Sequence, residues 1–260
     1  AMSLRAALVA LLCCCLAACG GAPVPVGTPV PPDFRDAAPV DFENPTPARF
    51  RVHGIDAARF QTSIDWPQAR LSGVNFAFLK ATEGGDILDP MFQSHWRGAG
   101  AAGVARGAYH FYYFCTTPEV QAQWFIRNVP RTKGMMPPVL DMEWNAFSPT
   151  CAHRRPDAAT VQDEMRRWLR IIEAHYGQRP IIYTTPGFYE DADLGRFKGY
   201  EYWLRTTAKT PREAYPGQSW RFWQYSATGL INGITGKVDL NAFSGSPAEW
   251  SAWLAARTHP

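Results

Sequence analysis

The stretch PVLDMEW, residues 138–144, joins a short apolar run to two acids that are one residue apart. The apolar residues are typical of a buried strand, and Asp141 and Glu143 lie at its end. Because side chains two residues apart in a strand point to the same side, both carboxyl groups face one way and Met142 faces the other. A carboxylate buried without a partner is costly. These acids therefore either have partners or belong to a site that uses their raised proton affinity.

On both sides of this stretch, short apolar runs alternate with helical patterns. Strands are predicted at residues 51–57, 74–81, 104–114, 137–144, 179–185, 200–207, 219–226 and 237–243. Helix starts are indicated by Asp89-Pro90, Thr117-Pro118 and Asp157. After residue 195 no long helical pattern separates the strands. Strand–helix units followed by strand-only units predict an α/β protein, an irregular TIM-like (β/α) barrel whose site lies at the C-terminal ends of the strands.

Acids gather at the predicted strand ends, where a single comparable cation, Lys80, accompanies them. They are Asp56, Glu83, Asp141, Glu143 and Asp239. Two close carboxylates cannot both ionise easily, so one pKa rises, which suits a general acid near neutral pH. A structural salt-bridge cluster is the alternative, but one lysine compensates four or five acids poorly. The pattern favours a glycosidase cleft, in which one acid protonates the leaving oxygen and a carboxylate stabilises developing positive charge.

Aromatic residues are predicted near the same barrel mouth. They are Tyr109, Phe111, Tyr183, Trp223 and Tyr225. Flat rings beside acids suit stacking on sugar faces, although strand alternation predicts that about half of these rings belong to the core. Tyr109 and Tyr183, which have polar neighbours, are the better candidates for contact with a sugar. His110 is expected to pack in the outer layer rather than to act as a base.

The N-terminal residues have the composition of a targeting segment. Arg5 precedes an apolar run that is too short to span a bilayer, and small residues then lead to Cys19. Residues 1–19 resemble a bacterial lipoprotein signal with Cys19 as the lipidated residue, and an ordinary secretory signal is the alternative. Prolines in residues 20–49 predict a semi-rigid tether. The expected organisation is an exported, lipid-anchored catalytic barrel at residues 50–260.

The cysteines outside the signal are Cys115 and Cys151. In an exported chain they suggest one disulfide, since both lie in loops predicted at the same end of the fold; two buried thiols are the alternative. No Cys or His pair has the spacing of a metal site, and no cofactor is expected. The net charge of +3 does not indicate a nucleic-acid partner. GAGAAG at 98–103 closes a predicted helix instead of opening one, so it does not indicate a dinucleotide site.

Three segments together resemble family 25 glycoside hydrolases, the Chalaropsis-type lysozymes. They are residues 54–114, from GIDAARF to HFYYF, then PVLDMEW, and FWQYSATGLINGITGKVDLNAF at 222–243. The resemblance covers roughly residues 52–243. It implies a (β/α)5(β)3 barrel and N-acetylmuramidase activity, which cleaves the β-1,4 bond from N-acetylmuramic acid to N-acetylglucosamine in peptidoglycan.

Carried over by motif, the resemblance implies that Glu143 is the general acid/base and that Asp141 assists by orienting or charge-stabilising the substrate. Asp56 and Asp239 would complete the acidic cleft, and retention of configuration is expected. The expected substrate-binding residues are Lys80, Glu83, Tyr109, Tyr183, Trp223 and Arg205. Arg205 stands where many relatives have a different sixth-strand pattern, which leaves the substrate range open.

Two other functions fit parts of the same pattern. A non-catalytic peptidoglycan-binding lipoprotein would keep the cleft and lose the acid, but Glu143 is present. A chitinase-like hydrolase would share the acid pair on a different barrel. The expected partners are peptidoglycan glycan strands and, through the lipid anchor, a membrane, with the protein itself a monomer.

Overall fold

The computed structural model describes residues 24–257. Its strands are β1 (Arg35–Asp36), β2 (His53–Ala57), β3 (Val74–Glu83), β4 (Ile87–Leu88), β5 (Ala105–Phe111), β6 (Val139–Met142), β7 (Ile181–Thr184), β8 (Glu201–Arg205), β9 (Phe222–Leu230) and β10 (Val238–Phe243). Its α-helices are α1 (Trp66–Leu71), α2 (Phe92–Ala101), α3 (Pro118–Asn128), α4 (Ala158–Tyr176), α5 (Pro186–Asp191), α6 (Pro211–Ala214) and α7 (Pro247–Arg257). The predicted signal at 1–19, with Cys19, lies outside the described residues.

Eight of these strands close a barrel in the order β2-β3-β5-β6-β7-β8-β9-β10. Neighbours from β2 to β9 run parallel, and β10 is antiparallel to both β9 and β2. Helices α1 to α5 each follow one of the first five barrel strands, whereas the last three strands have only the four-residue α6 among them. The predicted (β/α)5(β)3 barrel is confirmed.

Alternation along each strand divides the barrel interior from the layer beneath the helices. In β6, Val139 belongs to the interior cluster, whereas Leu140 and Met142 belong to the cluster between barrel and helices. The apolar face of α4 covers this outer layer with Val161, Met165, Trp168, Leu169 and Ile172. Both faces of the strands are thus buried, which is why their sequences are nearly continuous apolar runs.

Aromatic rings close the end of the barrel at which the parallel strands begin. Trp250 of α7 packs on Phe76 and Phe243, with ring centroids 5.4 Å and 5.1 Å away. Gly54 makes room there, because a Cβ atom at this position would lie 2.3 Å from the Phe76 carbonyl oxygen. The opposite end, where the parallel strands finish, is the end left for a site.

Two of the three predicted helix starts are confirmed. Thr117 accepts a hydrogen bond from the Val120 amide, and Asp157 accepts one from the Thr160 amide. Asp89 does not cap α2, which begins at Phe92. The Asp89 carboxylate instead accepts the amides of Met91 and Arg59 at 2.9 Å, so it links the turn before α2 to the loop after β2.

The glycines of the GAGAAG segment serve packing, as predicted. Residues 98–101 are the last residues of α2. A Cβ atom on Gly98 would lie 2.3 Å from Cδ1 of Trp66, so only glycine lets α2 approach α1 this closely. A dinucleotide site would need this segment to open a helix.

Residues 24–49 of the predicted semi-rigid tether at 20–49 do not extend away from the domain but lie against the barrel. The Val30 amide donates to Asn75 Oδ1 at 2.7 Å, and Asn75 Nδ2 donates back to the Val30 carbonyl at 2.9 Å. Further along, β1 pairs with the end of β9. Regular structure in this proline-rich segment is limited to the two-residue β1 and one turn of 3-10 helix at Pro47–Arg49, and other backbone groups of the segment bind to the barrel.

The structure contains a disulfide between Cys115 and Cys151, as the sequence predicted. It joins the loop after β5 to the loop after β6. Within the part of the chain that the structure describes, no helix has both the length and the apolar character needed to cross a membrane.

Candidate active site

A cleft of about 460 Å³ opens at the C-terminal ends of the parallel barrel strands. It brings together four of the five acids that the sequence singled out, Asp56, Asp141, Glu143 and Asp239, although they come from three different strand ends. The other predicted residues that line it are Lys80, Tyr109, Phe111, Tyr183 and Arg205. We call this cavity the acidic cleft.

Asp141 is the last inward-facing residue of β6, and its side chain is almost fully buried. Its Oδ1 atom is buried without a hydrogen-bond partner. Burial and the charge of Glu143 raise the pKa of Asp141 well above its ordinary value. When ionised, this carboxyl group offers the cleft an unpaired hydrogen-bond acceptor, and when protonated it offers a donor.

Glu143 lies one residue beyond β6, where the alternation of the strand still directs it into the cleft. Burial raises its pKa, while the positive charges of Arg205 and Lys80 oppose the rise. A carboxyl group with a raised pKa and cations nearby can donate a proton and take it back.

Asp56 is fixed by two neutral amides. Its Oδ2 atom accepts hydrogen bonds from Gln224 Nε2 and Asn241 Nδ2, both at 2.8 Å. Burial raises the pKa of Asp56, and these hydrogen bonds favour its ionised form. The neighbouring carboxyl group of Asp239 also lines the cleft. The four acids therefore form two pairs, Asp56 with Asp239 and Asp141 with Glu143.

Lys80 and Glu83 reach the same side of β3 because the strand has an irregularity. Residues three apart in a regular strand point to opposite faces, but the pairing of β3 with β5 shifts register between Lys80 and Thr82. Lys80 Nζ lies 2.5 Å from Glu83 Oε1, and Tyr113 donates to Glu83 Oε2 at 2.6 Å. Burial alone would raise the pKa of Glu83, but Lys80 and Tyr113 lower it. Glu83 is thus neutralised and sits beside the acidic cleft instead of in it.

Two tyrosines form part of the cleft lining, as expected. Tyr183 donates its hydroxyl hydrogen to Gln224 Oε1 at 3.0 Å. Trp203, which sequence reasoning did not single out, also lines the cleft and packs edge-on against Tyr183 with ring centroids 4.5 Å apart. Its apolar strand context made it indistinguishable from a core residue.

The prediction that Trp223 lines the cleft is wrong. Trp223 is fully buried on the outer side of β9, where its indole packs on Phe42 and donates to the Thr206 carbonyl. Tyr225 lies on the same outer side, against His53. The inward position of β9 between them is Gln224, so the inward and outward faces of β9 are the reverse of those predicted. A lone glutamine in an apolar strand was the signal that could have revealed this.

His110 packs in the outer layer, as predicted. It is fully buried, lies 2.7 Å from Thr82 Oγ1 through Nδ1, and stacks on Trp168. Burial lowers its pKa to about 4, so it remains neutral near pH 7. Among residues 24–257, no group of three or more His, Cys, Asp or Glu side chains is arranged to hold a metal ion.

Comparisons with known proteins agree with this geometry. Residues 55–234 match the sequence profile of the family described as Glycosyl hydrolases family 25. The chain is 36% identical over 213 residues to YegX of Escherichia coli strain K12, covering 80% of this chain and 75% of YegX. It is 34% identical over 232 residues to Lysozyme M1 of Streptomyces globisporus, covering 84% of this chain and 74% of that enzyme.

A solved family 25 glycosyl hydrolase from Bacillus anthracis has the same fold. It superposes with a TM-score of 0.74 at 32% identity, covering 84% of this chain and 98% of the other. Residues 55–234, which match the family profile, reach from β2 to β9 and include three of the four cleft acids, while β10 with Asp239 lies just beyond them. The chain therefore belongs to glycosyl hydrolase family 25, and it is a glycoside hydrolase.

Proposed function

We propose that the protein is a lysozyme that hydrolyses peptidoglycan, cleaving the β-1,4 bond between N-acetylmuramic acid and N-acetylglucosamine. The relative from Streptomyces globisporus is named a lysozyme. The observation that carries the proposal is the position of Asp141 and Glu143 together in an open cleft, with Arg205 and Lys80 facing Glu143.

Glu143 serves as the general acid and then the general base. Its proton passes to the glycosidic oxygen as the bond from that oxygen to the anomeric carbon breaks, so the leaving sugar departs as a neutral alcohol. The resulting carboxylate then removes a proton from the water that attacks the anomeric carbon. The raised pKa of Glu143 favours the protonated form that the first step needs.

Asp141 acts on the N-acetyl group of the sugar. Asp141 and Glu143 titrate as a coupled pair, because the charge of Glu143 contributes to the raised pKa of Asp141. When the acetamide N–H donates to the unpartnered Oδ1 of Asp141, it favours ionised Asp141, and the shared proton then resides on Glu143. The acetamide oxygen, oriented in this way, attacks the anomeric carbon as the bond to the leaving oxygen breaks. Water then attacks the same carbon and breaks its bond to the acetamide oxygen, and the two inversions give net retention.

The neighbouring groups complete the site. Asp56 and Asp239 supply negative potential near the oxocarbenium-like transition state, and Tyr109, Tyr183 and Trp203 supply apolar surface for sugar faces.

We also propose that the chain works as an exported monomer, lipid-anchored at Cys19. Metabolic labelling with a radioactive fatty acid tests the anchor. The wild-type chain should incorporate label, and a Cys19→Ser variant should not.

Mass analysis of purified peptidoglycan after digestion tests the proposed function. The wild-type protein should release fragments with reducing N-acetylmuramic acid ends, and Glu143→Gln should lower the rate by at least about a thousandfold. Glu190→Gln, a change of an exposed acid on α5, is the matched control and should retain full activity.

Three other outcomes of this digestion would contradict parts of the proposal. Reducing N-acetylglucosamine ends would indicate a chitinase-like specificity. No release by the wild-type protein, together with retained binding to peptidoglycan, would favour the non-catalytic binding lipoprotein. Full activity of Glu143→Gln would remove Glu143 from the mechanism.

A further inference from the structure

A second, larger cavity of about 930 Å³ lies directly beside the acidic cleft, and we call it the side groove. The two cavities share four lining residues, Phe60, Lys80, Phe111 and Glu143. The side groove runs between the β3–β4 turn and the loop after β6, residues 144–150. A substrate bound at Glu143 therefore has a continuous path into it.

Exposed apolar side chains form the walls of the side groove. The Phe147 side chain is 98% exposed, and Ile87 and Val120 are also exposed at its rim. Phe60, at the junction with the acidic cleft, is 73% exposed. Large apolar side chains gathered at one opening mark a binding surface more often than scattered surface residues do.

The loop that carries Phe147 is held in place before any ligand binds. The disulfide joins Cys151, just after this stretch, to Cys115 on the opposite wall. Trp144 at the start of the loop donates to Asp191 Oδ2 at 2.7 Å, and the Ser148 amide donates to Asn145 Oδ1 at 3.0 Å. A wall ordered in advance loses less conformational entropy on binding than a loose loop would.

The chemistry of these walls fits a peptide better than a sugar. A bound sugar needs hydrogen-bond partners for many hydroxyl groups, and the side chains of Ile87, Val120 and Phe147 offer none. Charged groups of both signs stand at the rim, where Arg59 is half exposed and Asp86 is exposed. Apolar walls with a cation and an anion match short peptides that carry methyl groups, free carboxylates and an amine.

We propose that the side groove binds the stem peptide attached to the muramic acid next to the cleaved bond. This inference rests on the proposed peptidoglycan hydrolysis and adds to it a second recognition site. The acidic cleft holds the sugars, while the side groove holds the peptide that branches from them. Phe147 and Ile87 line the side groove without lining the acidic cleft, so they report on the peptide alone.

The test compares two substrates, intact peptidoglycan and the same glycan strands after an amidase has removed their peptides. Phe147→Ala should lower kcat/KM on intact peptidoglycan by about tenfold, and Ile87→Ala by about threefold, since each removes apolar contact with the peptide. Both variants should match the wild-type protein on stripped strands. Leu71→Ala is the control, because Leu71 at the end of α1 is 63% exposed and lines neither cavity.

Two outcomes would overturn the proposal. An equal loss on both substrates would assign the side groove to sugars, and no loss on either substrate would leave the peptide without a role there. If the wild-type protein cleaves neither substrate, the proposed hydrolysis itself is overturned, which is distinct from the failure of the peptide site.

Discussion

Asp56 and Asp239 lie directly opposite each other in the antiparallel pair β2–β10, and a hydrogen bond joins their carboxyl groups. Two carboxyl groups that share a hydrogen bond share one proton. The amides of Gln224 and Asn241 both donate to Asp56, so Asp56 is the ionised partner and Asp239 carries the proton. Burial, followed by the charge of Asp56, raises the pKa of Asp239 to about 9.

This shared proton makes the stability of the fold depend on pH. Asp239 titrates at about 9 when folded and near 3.8 when unfolded, so the folded state binds more protons between these values. The free energy of unfolding should therefore fall as pH rises from about 4 to about 9. In Asp239→Asn the amide can still donate to Asp56 but cannot titrate. Over this pH range the free energy of unfolding should fall less in Asp239→Asn than in the wild-type protein. The difference should be at least about 1.4 kcal/mol, the equivalent of one pKa unit.

Urea denaturation at several pH values measures this difference. The variant keeps the contributions of Asp56, Asp141 and Glu143, whose pKa values are also raised, so some slope should remain. Glu190→Gln on the surface of α5 should keep the wild-type slope. Parallel curves for Asp239→Asn and the wild-type protein would show that Asp239 is ionised in the folded state.

Arg205 should set the alkaline limit of activity. Burial raises the pKa of Glu143, and Arg205 is the strongest of the charges that oppose this rise. Arg205→Met should therefore raise the pKa of Glu143 further, and the alkaline limb of the kcat/KM profile should move upward by about 1 pH unit. Activity falls above this limb because the general acid has lost its proton.

The matched control for this profile is Arg212→Met, which removes an exposed arginine from α6. It should leave the limb where it is. A limb that stays constant in Arg205→Met, or moves to lower pH, would mean that another group controls it.

Asn75 should hold the N-terminal segment on the barrel. Its side chain exchanges two hydrogen bonds with Val30 and accepts a third from buried Arg70. Asn75→Ala would leave several of these groups unpaired, so it should lower the free energy of unfolding by about 1–3 kcal/mol. It should also expose the segment before Asp33 to proteases.

Limited proteolysis with mass analysis, together with urea denaturation, checks this prediction. Asn128→Ala, which removes one partly buried hydrogen bond at the end of α3, is the control and should not change the cleavage sites. If Asn75→Ala resists proteolysis as the wild-type protein does, the remaining contacts of the segment suffice to hold it.

The disulfide should stabilise the fold appreciably. It closes a loop with a sequence separation of 36 residues, and loop-closure entropy for such a length gives about 4 kcal/mol as an upper estimate. The double variant Cys115→Ala/Cys151→Ala should lose about 2–4 kcal/mol of unfolding free energy. A reductant should destabilise the wild-type protein by a similar amount and leave the double variant unchanged. Equal stability of the two proteins would contradict this account.

The barrel and most of its acidic cleft could be predicted from local patterns. Apolar runs placed all eight barrel strands, with helical patterns between the first five, and the two-residue period placed Asp141 and Glu143 on one side of β6. The same period misplaced Trp223, since an apolar strand buried on both faces does not reveal which face is the inner one. Gln224, not Trp223, proved to be the inward residue.

The amino-acid sequence by itself determined the order of strands and helices and the position of the paired acids, because these depend on periodicities of two to four residues along the chain. Tertiary structure alone decided three features. They are the pairing of Asp56 with Asp239, the ion pair that the β3 irregularity forms between Lys80 and Glu83, and the docking of residues 24–49. Each depends on contacts between distant segments, where strand register and packing select the partner and no local pattern records the choice.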